Sequence, residues 1–315
     1  MNILILSCGT RYKLVEYFKD KSNGFDRVVV TDCSEYAPAL YVADKYYIVS
    51  RMDSDGYIGE LIDICKKEYI DVVLPLQENE LLLISKNKGR FENAGIKVAV
   101  SEYASVCMCK DKYNMYKFLN KNEVPVIETQ LLKDVIKIYG TNKELIVKPR
   151  CGAGSVGVMK VKTTRFLEAL YGETKDELIV QPYIEGREYG IDVYVDYLSS
   201  EIKGLFCKEK LRMRAGETEK SKSVKKDKLE ALARKVVRLL NLKGAIDIDV
   251  IERNGEFYIL EINPRFGGGY PHAYECGVNF PKLMAINFNG NVNKNEMIDY
   301  KENVVALKYS NLIIR

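Results

Sequence analysis

NGEFYILEINPRFGGGY, residues 254–270, is the stretch of sequence from which the fold of this chain can be worked out. Asn254-Gly255 is a dipeptide typical of tight hairpin turns, and the aromatic and aliphatic residues that follow it predict a strand. The preceding run GAIDIDVIE, residues 244–252, predicts the partner strand. These residues therefore predict a β-hairpin whose two strands both carry acidic side chains.

The acidic side chains of this hairpin are expected to lie side by side. Successive residues of a strand point to opposite faces, so Glu261 and Asn263 share one face, and Asp247 and Asp249 share one face of the partner strand. Oxygen ligands from adjacent strands, with Arg265 close behind, suit a hard divalent cation, Mg²⁺ or Mn²⁺, that is also bound by phosphate oxygens. The alternative is a solvated strand face followed by a turn. The role of Asp247 stays open.

Composition limits the classes of protein that remain. A chain of 315 residues is long enough for two or three modules. The net charge of +4 is small and the charges are interspersed, so neither nucleic acid nor an anionic membrane is expected as a partner. No apolar run is long enough to span a membrane. The sequence gives no sign of an oligomeric state, and a homo-oligomer stays open.

Cysteine and histidine usage narrows the chemistry. Eight cysteines without a C-X-X-C pair indicate reduced thiols and a cytoplasmic location. His272 is the single histidine, which excludes a multi-histidine zinc site and a mechanism based on a His triad. His272 itself is expected in a loop, residues 267–272, where substrate contact and plain loop polarity both stay open.

The first hundred residues alternate strands and helices. Apolar strands are predicted at residues 2–6, 27–32 and 71–75, which indicates βαβ units and a parallel sheet with a crevice at the carboxyl ends of its strands. A dinucleotide site is disfavoured because the first turn has no G-X-G-X-X-G motif. The polar residues Gln77, Glu78 and Glu80 follow the third of these strands, where they could contact a ligand or simply begin a helix.

A glycine-rich segment follows in the middle of the chain. LIVKP, residues 145–149, predicts a strand that contains Lys148, and RCGAGSVGV, residues 150–158, predicts a loop that returns into another strand. Glycines let backbone amides approach an anion closely, and the lysine adds a positive charge. The segment is not a P-loop, because G-X-X-X-X-G-K-[ST] is absent. A flexible β-hairpin without a ligand is the alternative.

Further elements complete the predicted order. ELIVQPYI, residues 177–184, predicts a strand broken by Pro182, which would leave backbone groups free to recognise an adenine edge. Residues 212–220 predict a charged loop that could close over phosphates, and residues 226–240 predict an amphipathic helix. Residues 280–288 predict a short helix, and two apolar stretches, residues 304–307 and 312–314, predict closing strands.

Together the motifs VKPRCGAGSVGV, QPYIEGREYGIDV, GAIDIDVI and YILEINPRFGGG resemble the ATP-grasp superfamily, within it one ATP-binding unit of the carbamoyl-phosphate synthase large subunit. The resemblance implies an α/β fold that is α+β in its C-terminal part. It implies a Rossmann-like pre-ATP-grasp domain at residues 1–105 and two ATP-grasp lobes. These are a small lobe, or lid, with its linker helix at residues 106–183, and a large lobe with the metal hairpin and the closing strands at residues 184–315.

The resemblance also implies a role for each matching residue. Asp249, Glu261 and Asn263 match the positions that hold metal ions, and Arg265 matches the arginine that stabilises the transferred phosphoryl group. Arg214 and Lys148 are expected beside it as catalytic residues. The nucleotide-binding set implied by the resemblance is Lys112 and Lys148 on the phosphates, Gly152, Gly154, Ser155 and Gly157 over them, Gln181, Tyr183 and Ile184 at adenine, and Glu188 at ribose.

The activity implied by the resemblance is that of an ATP-dependent, ADP-forming ligase. It joins a small-molecule carboxylate to an amine through an acyl phosphate, with ATP and Mg²⁺ as cofactors. The chain is expected to be too short for the synthase itself. A nucleotide-binding module without turnover and an ATP-dependent small-molecule kinase are the alternatives. The identities of the acid and the amine are not implied.

Overall fold

The computed structural model describes residues 1–135, 144–152, 154, 156–162, 164–174, 178–294 and 298–314. Three sheets organise the chain in sequence order. The first is parallel and the other two are antiparallel, which confirms the predicted α/β class with an α+β C-terminal part. The domain boundaries expected at residues 105 and 183 stay predictions. None of the helices described is long and apolar enough to cross a membrane.

The N-terminal sheet has five parallel strands in the order β3-β2-β1-β4-β5. Its strands are buried on both faces, because odd residues of β1 such as Ile3 join one apolar cluster and even residues such as Leu4 join another. The strands are β1 (Asn2–Leu6), β2 (Arg27–Asp32), β3 (Lys45–Ile48), β4 (Val72–Pro75) and β5 (Lys97–Val98), and the helices are α1 (Tyr12–Lys19), α2 (Tyr57–Lys67), α3 (Glu78–Lys86) and α4 (Lys88–Asn93), with 3-10 turns at Lys21–Asn23 and Pro38–Val42.

Two helices connect this sheet to a four-stranded antiparallel sheet in the order β6-β9-β7-β8. Asp111 caps the second of these helices by accepting hydrogen bonds from the amides of Tyr113 and Asn114, and it also pairs with Arg150 at 2.6 Å. The elements are α5 (Tyr103–Lys110), α6 (Lys112–Lys121), β6 (Gln130–Leu131), α7 (Leu132–Val135), β7 (Leu145–Pro149), β8 (Met159–Val161), α8 (Thr164–Thr174) and β9 (Leu178–Pro182).

The largest sheet is antiparallel, with six strands in the order β14-β13-β10-β11-β12-β15. The apolar side of α9, which includes Leu229, Ala233 and Val236, covers one face together with residues of α6. The elements are β10 (Arg187–Val195), β11 (Ile202–Arg214), β12 (Glu217–Val224), α9 (Asp227–Leu239), β13 (Gly244–Arg253), β14 (Glu256–Asn263), α10 (Tyr270–Glu275), α11 (Phe280–Phe288) and β15 (Val305–Leu307).

The N-terminal sheet and the C-terminal helices share one apolar core. Phe18 of α1 meets Phe266 edge to face, with 5.8 Å between ring centroids, and Tyr17 stacks on Tyr274 at 3.7 Å. Residues of β1, α1, α10 and α11 belong to the same buried cluster. This junction holds the carboxyl end of β1 against the segment that follows β14, which is where polar side chains converge.

The hairpin predicted from residues 244–263 is present. Its turn has positive φ at Asn254 and Gly255, 53° and 78°, as a type I′ hairpin turn requires. The register places Asp249 opposite Glu261, with an irregularity directly after Asp249. The acids of the two strands therefore lie side by side, as expected.

Three local predictions were wrong. Residues 212–220 are not a loop but the end of a β-hairpin, since β11 and β12 continue to Arg214 and from Glu217. Residues 267–272 are only partly loop, because α10 begins at Tyr270 with Pro271 in its first turn. Residues 312–314 form no strand, whereas residues 305–307 do pair with β12.

Candidate active site

A cleft of about 480 Å³ opens where the three sheets meet. That volume is within the usual range for small-molecule sites. Its walls come from β7, β9, β10, β11, β13 and β14, from the start of α6, and from the segments after β1 and β4. Twelve of the residues predicted for the site line it: Lys112, Lys148, Gly152, Gly154, Gln181, Tyr183, Ile184, Glu188, Asp249, Glu261, Asn263 and Arg265.

The acids of the hairpin face lysines from other elements. Glu261 pairs with Lys112 of α6, with 2.8 Å between Oε1 and Nζ, and Asp249 pairs with Lys210 of β11 at 2.6 Å. Burial raises the pKa of Asp249 to about 6, with Asp247 adding to the rise and Lys210 opposing it. A second positive charge at this site would stabilise the ionised carboxylate.

The donor set fits a magnesium ion that is shared with phosphates. Asp249, Glu261 and Asn263 offer only hard oxygen ligands on one hairpin. Within the part of the chain that the structure describes, no group of three or more His, Cys, Asp and Glu side chains could hold a metal ion unaided. Mg²⁺ is usually held by one or two carboxylates together with substrate phosphates, and the hairpin supplies two carboxylates, Asp249 and Glu261.

Two lysines from different elements, α6 and β7, line the cleft. Lys112 begins α6, where its amide donates to the carbonyl of Arg150 at 3.1 Å and its Nζ donates to the carbonyl of Gly152 at 2.5 Å. Lys148 lies near the end of β7, and its Nζ has no hydrogen-bond or ion-pair partner among the described residues. Burial lowers the pKa of Lys148 to about 8, with Lys112 adding to the effect and Glu261 opposing it. Such an ammonium is suited to an incoming anion.

The glycine-rich loop joins β7 to β8. Gly154 and Gly157 have positive φ, 63° and 74°, conformations that favour glycine. Gly154 lines the cleft beside the tip of the β11–β12 hairpin, because a Cβ at Gly216 would lie 2.5 Å from the Gly154 carbonyl oxygen. Gly157 does not line the cleft. The predicted contact Ser155 lies outside the described residues.

The end of β9 presents the side chain of Gln181 to the cleft. The hydroxyl of Thr129 donates to the Ile127 carbonyl at 2.9 Å, so it accepts from Nε2 of Gln181 at 2.8 Å. This leaves Oε1 of Gln181 as an acceptor. The amide of Tyr183 is not free, because it donates to the carbonyl of Glu144 at 2.9 Å. The expectation of free backbone groups after Pro182 is therefore wrong for the Tyr183 amide, since β7 and its preceding residue extend the ladder.

Arg265 joins acids from the large sheet and from the N-terminal domain in one charged cluster that lines the cleft. Arg265 donates to Asp247 of β13 at 3.1 Å and to Glu78, the first residue of α3, at 3.0 Å. Burial alone would raise the pKa of Asp247, but the charges of Arg265, Lys210 and Lys208 outweigh it and lower the pKa. Asp247, whose role the sequence left open, thus orients the arginine.

Three charged cleft residues, Arg11, Lys208 and Lys210, were not predicted from the sequence, whereas Glu217 belongs to residues 212–220, which were expected to close over phosphates. Lys208 and Lys210 alternate on β11, and two lysines at period two after an apolar strand segment are a signal that could have been used. Lys208 is almost fully buried, where it pairs with Asp192 and donates to the Gly269 carbonyl at 3.0 Å. Nothing in the sequence marks Arg11, because only the packing of distant segments brings it to the cleft.

Three other candidates lie outside the cleft. Arg214 is 71% exposed and its guanidinium is 3.4 Å from Glu219, so its predicted catalytic role has no support from its position. His272 is buried, with Nδ1 2.8 Å from Ser221 Oγ, and burial lowers its pKa to about 4. Glu80 is buried in the N-terminal domain beside the Tyr57 hydroxyl, and burial raises its pKa to about 7. Gln77 and Glu78 do line the cleft.

Comparison with known families assigns both parts of the chain. Residues 3–99 match the family described as PylC-like, N-terminal domain. Residues 109–269, just over half of the chain, match the ATP-grasp domain family. The chain belongs to the ATP-grasp family, as its motifs predicted.

Its relatives are distant. An uncharacterised protein of Methanocaldococcus jannaschii is 26% identical over 76% of this chain and 63% of its own length. The arginine-specific carbamoyl phosphate synthase large chain of Geobacillus stearothermophilus is 21% identical over 79% of this chain. The chain spans less than two thirds of the first relative and only 24% of the second.

A solved structure has the same fold. The ADP complex of N5-carboxyaminoimidazole synthetase from Staphylococcus aureus superimposes with a TM-score of 0.77 over 98% of this chain and 82% of that chain, at 18% identity. The expected arrangement of a Rossmann-like domain followed by an ATP-grasp fold is therefore confirmed.

Proposed function

We propose that this protein is an ATP-dependent, ADP-forming ligase that joins a small-molecule carboxylate to an amine through an acyl phosphate. The observation that carries the proposal is the 2.8 Å contact between Lys112 and Glu261 inside one cleft. A lysine and a carboxylate that are far apart in sequence meet where a phosphate chain and its metal ion would both need partners. Lys148, without a partner among the residues described, adds a second positive charge beside them.

The nucleotide would lie along the wall formed by the four-stranded sheet. Lys112 and Lys148 bind its phosphates, and the glycine-rich loop covers them. Oε1 of Gln181 and the backbone of Ile184 recognise the adenine edge, and Glu188 accepts hydrogen bonds from the ribose hydroxyls. Gly157 and Ser155 belong to the same proposed loop.

Asp249, Glu261 and Asn263 would hold Mg²⁺ or Mn²⁺. The metal ion, when bound, neutralises charge on the phosphates. Lys112 and Lys210 now partner the two carboxylates, so each lysine becomes available to phosphate oxygens when the carboxylates take a metal ion. The protein then provides positioning and charge, which phosphoryl transfer chiefly requires.

The reaction proceeds in two steps that need no covalent enzyme intermediate. A carboxylate oxygen of the acid attacks the γ-phosphorus, the bond to the bridging oxygen breaks, and ADP leaves with the electron pair. Arg265, oriented by Asp247 and Glu78, stabilises the phosphoryl group and the acyl phosphate. The amine nitrogen then attacks the carbonyl carbon, inorganic phosphate leaves, and Glu78 and Glu217 are the carboxylates placed to accept the released proton. No step is assigned to Arg214.

The test is an analysis of products with ATP, Mg²⁺ and a panel of carboxylates and amines. We expect ADP, phosphate and an amide, separated by chromatography and identified by mass. AMP with pyrophosphate would exclude the proposal, and a stable phosphate ester would identify a kinase. Nucleotide binding with no product from any pair would identify a binding module. A cytoplasmic location is proposed with this function, since reduced thiols and cytosolic ATP go together.

A further inference from the structure

The crevice of the N-terminal sheet opens into the same cleft. Strand order β3-β2-β1-β4-β5 reverses between β1 and β4, and ligands of open parallel sheets bind beyond the carboxyl ends of strands at such a point. Arg11 follows β1 there, and Gln77 and Glu78 follow β4. All three line the cleft, and Glu78 is paired there with Arg265.

Arg11 has an unusual position for a guanidinium. Its side chain is only 25% exposed, and its nearest acid, Glu217, is 3.9 Å away. Its guanidinium makes no hydrogen bond within the ranges that the structure describes. Burial lowers its pKa, and the neighbouring charge of Arg265 adds to this. Because arginine keeps its proton in proteins, this site is completed by an anion that can accept its hydrogen bonds.

Acids are interleaved with these two arginines. Glu217 lies beside Arg11, while Glu78 and Asp247 flank Arg265. Nearby charges of Arg11 and Lys308 lower the pKa of Glu217 against the effect of its burial, so it is ionised at neutral pH. A dianionic phosphate would be repelled by three carboxylates, whereas a ligand with both signs of charge would satisfy the arginine and an acid together.

Glycine keeps the space between these groups open. A Cβ at Gly268 would lie 3.3 Å from Nη1 of Arg11 and 3.2 Å from the carboxyl carbon of Glu217. The backbone after β14 thus passes directly beside the pair. A larger residue would fill the space that a small zwitterion needs.

We propose that the amine substrate is an amino acid, held as a zwitterion with its carboxylate on Arg11 and its ammonium group on Glu217. The inference rests on the proposed ligase function and adds the substrate class to it. The carboxylate on Arg11 is not the one that is activated. It anchors the amine beside the acyl phosphate at Arg265, where the ammonium group gives one proton to Glu217 so that the neutral nitrogen can attack.

Binding to the Mg²⁺–ADP form of the protein tests this directly, without the need for turnover. The probes are the proteinogenic amino acids in both enantiomers, their carboxamides, and O-phosphoethanolamine as a phosphate-bearing amine, titrated by calorimetry. We expect at least one amino acid to bind and its carboxamide to bind about 10- to 100-fold more weakly, the range for a lost charge-assisted hydrogen bond.

Substitutions of Arg11 test whether this side chain causes the preference for the amino acid over its carboxamide. Arg11→Met should weaken amino acid binding by the same factor and remove the difference between acid and carboxamide, since the two changes remove one interaction. Arg11→Lys should retain part of the preference. Arg51→Met, which changes an exposed arginine of the same domain outside the cleft, is the matched control and should bind as the wild type does. ADP affinity should be unchanged in all three.

Equal affinity for acid and carboxamide, stronger binding of O-phosphoethanolamine, or no binding by any amino acid would each overturn the inference. The wild-type comparison decides the matter even where an Arg11 variant fails to fold. Failure of the proposed function has a different signature: ATP gives AMP, a phosphate ester or no product, whatever the result of these titrations.

Discussion

The strongest test of the nucleotide site is the dependence of ATP affinity on pH through Lys148. Its ammonium group lies in the cleft without a partner among the residues described, and burial lowers its pKa to about 8 in the free protein. Only the protonated form attracts the triphosphate. Above pH 7 the phosphates are already fully ionised, because their last pKa is near 6. Between pH 7 and the pKa of Lys148 the ATP affinity should therefore change little, and it should fall as the pH rises through that pKa.

The expected size follows from the pKa. When a ligand requires the protonated form, the dissociation constant grows in proportion to the ratio of total to protonated lysine. With a pKa of about 8, about one Lys148 in ten is still protonated at pH 9. The affinity should thus drop about tenfold between pH 7 and pH 9, or about 1.4 kcal/mol of binding free energy.

Calorimetry with Mg²⁺ and a non-hydrolysable ATP analogue, at matched ionic strength, measures this dependence. Lys148→Arg is the control, because arginine stays protonated over the whole range and its plot should be flat from pH 7 to pH 9. Lys148→Met should bind weakly at every pH. An unchanged affinity in the wild type, or an equal fall in Lys148→Arg, would refute the assignment of Lys148 to the phosphates.

Three further predictions concern Glu261 of the hairpin, the glycine segment after it, and the proposed metal ion. Glu261→Gln should lower turnover by orders of magnitude, because the proposed metal ligand and the partner of Lys112 are lost together. Glu256→Gln, an exposed change on the same strand, should leave turnover unchanged. Steady-state ADP release measures the turnover of both variants. Gly267→Ala places a Cβ 2.6 Å from the Asp247 carboxyl carbon and should lower the free energy of unfolding, measured in urea, by about 1–3 kcal/mol. Gly59→Ala, in a helix with open space around it, is the control and should raise the free energy of unfolding by up to about 1 kcal/mol. Chelation of Mg²⁺ should abolish ADP formation and Mn²⁺ should restore it, as followed by ADP release; activity in excess chelator would contradict the metal assignment.

Local patterns were sufficient for much of the site. Asn254-Gly255 predicts a two-residue turn, which sets the pairing of β13 with β14 as far as Val250 opposite Ile259. The turn does not set the opposition of Asp249 and Glu261, because that pairing depends on the irregularity directly after Asp249, which shifts the register by one residue. Lys148 was predictable from a local pattern, since it lies near the end of a strand directly before a glycine-rich loop.

Other predictions failed where side chains outside the segment decide its conformation. Residues 212–220 are charged and have the composition of a loop, yet they extend a hairpin in which Arg212, Met213 and Arg214 pair with Lys220, Thr218 and Glu217. At the end of that hairpin the guanidinium of Arg214 lies 3.4 Å from Glu219, and Arg214 does not line the cleft, so its catalytic role stays a prediction. The amino-acid composition of a segment does not indicate which strand it will pair with.

By itself, the sequence determined the order of strands and helices, the turn of the hairpin at residues 244–263 and the ATP-grasp family, because these depend on turn chemistry and on spacing within one segment. The tertiary structure alone decided that Lys112 meets Glu261, that Glu78 joins Asp247 in orienting Arg265, and that Arg11 enters the cleft. Apart from the pair of Asp247 and Arg265, which lies within the hairpin segment, these contacts join segments that are far apart in the sequence. How such segments pack against each other is not encoded by any local pattern.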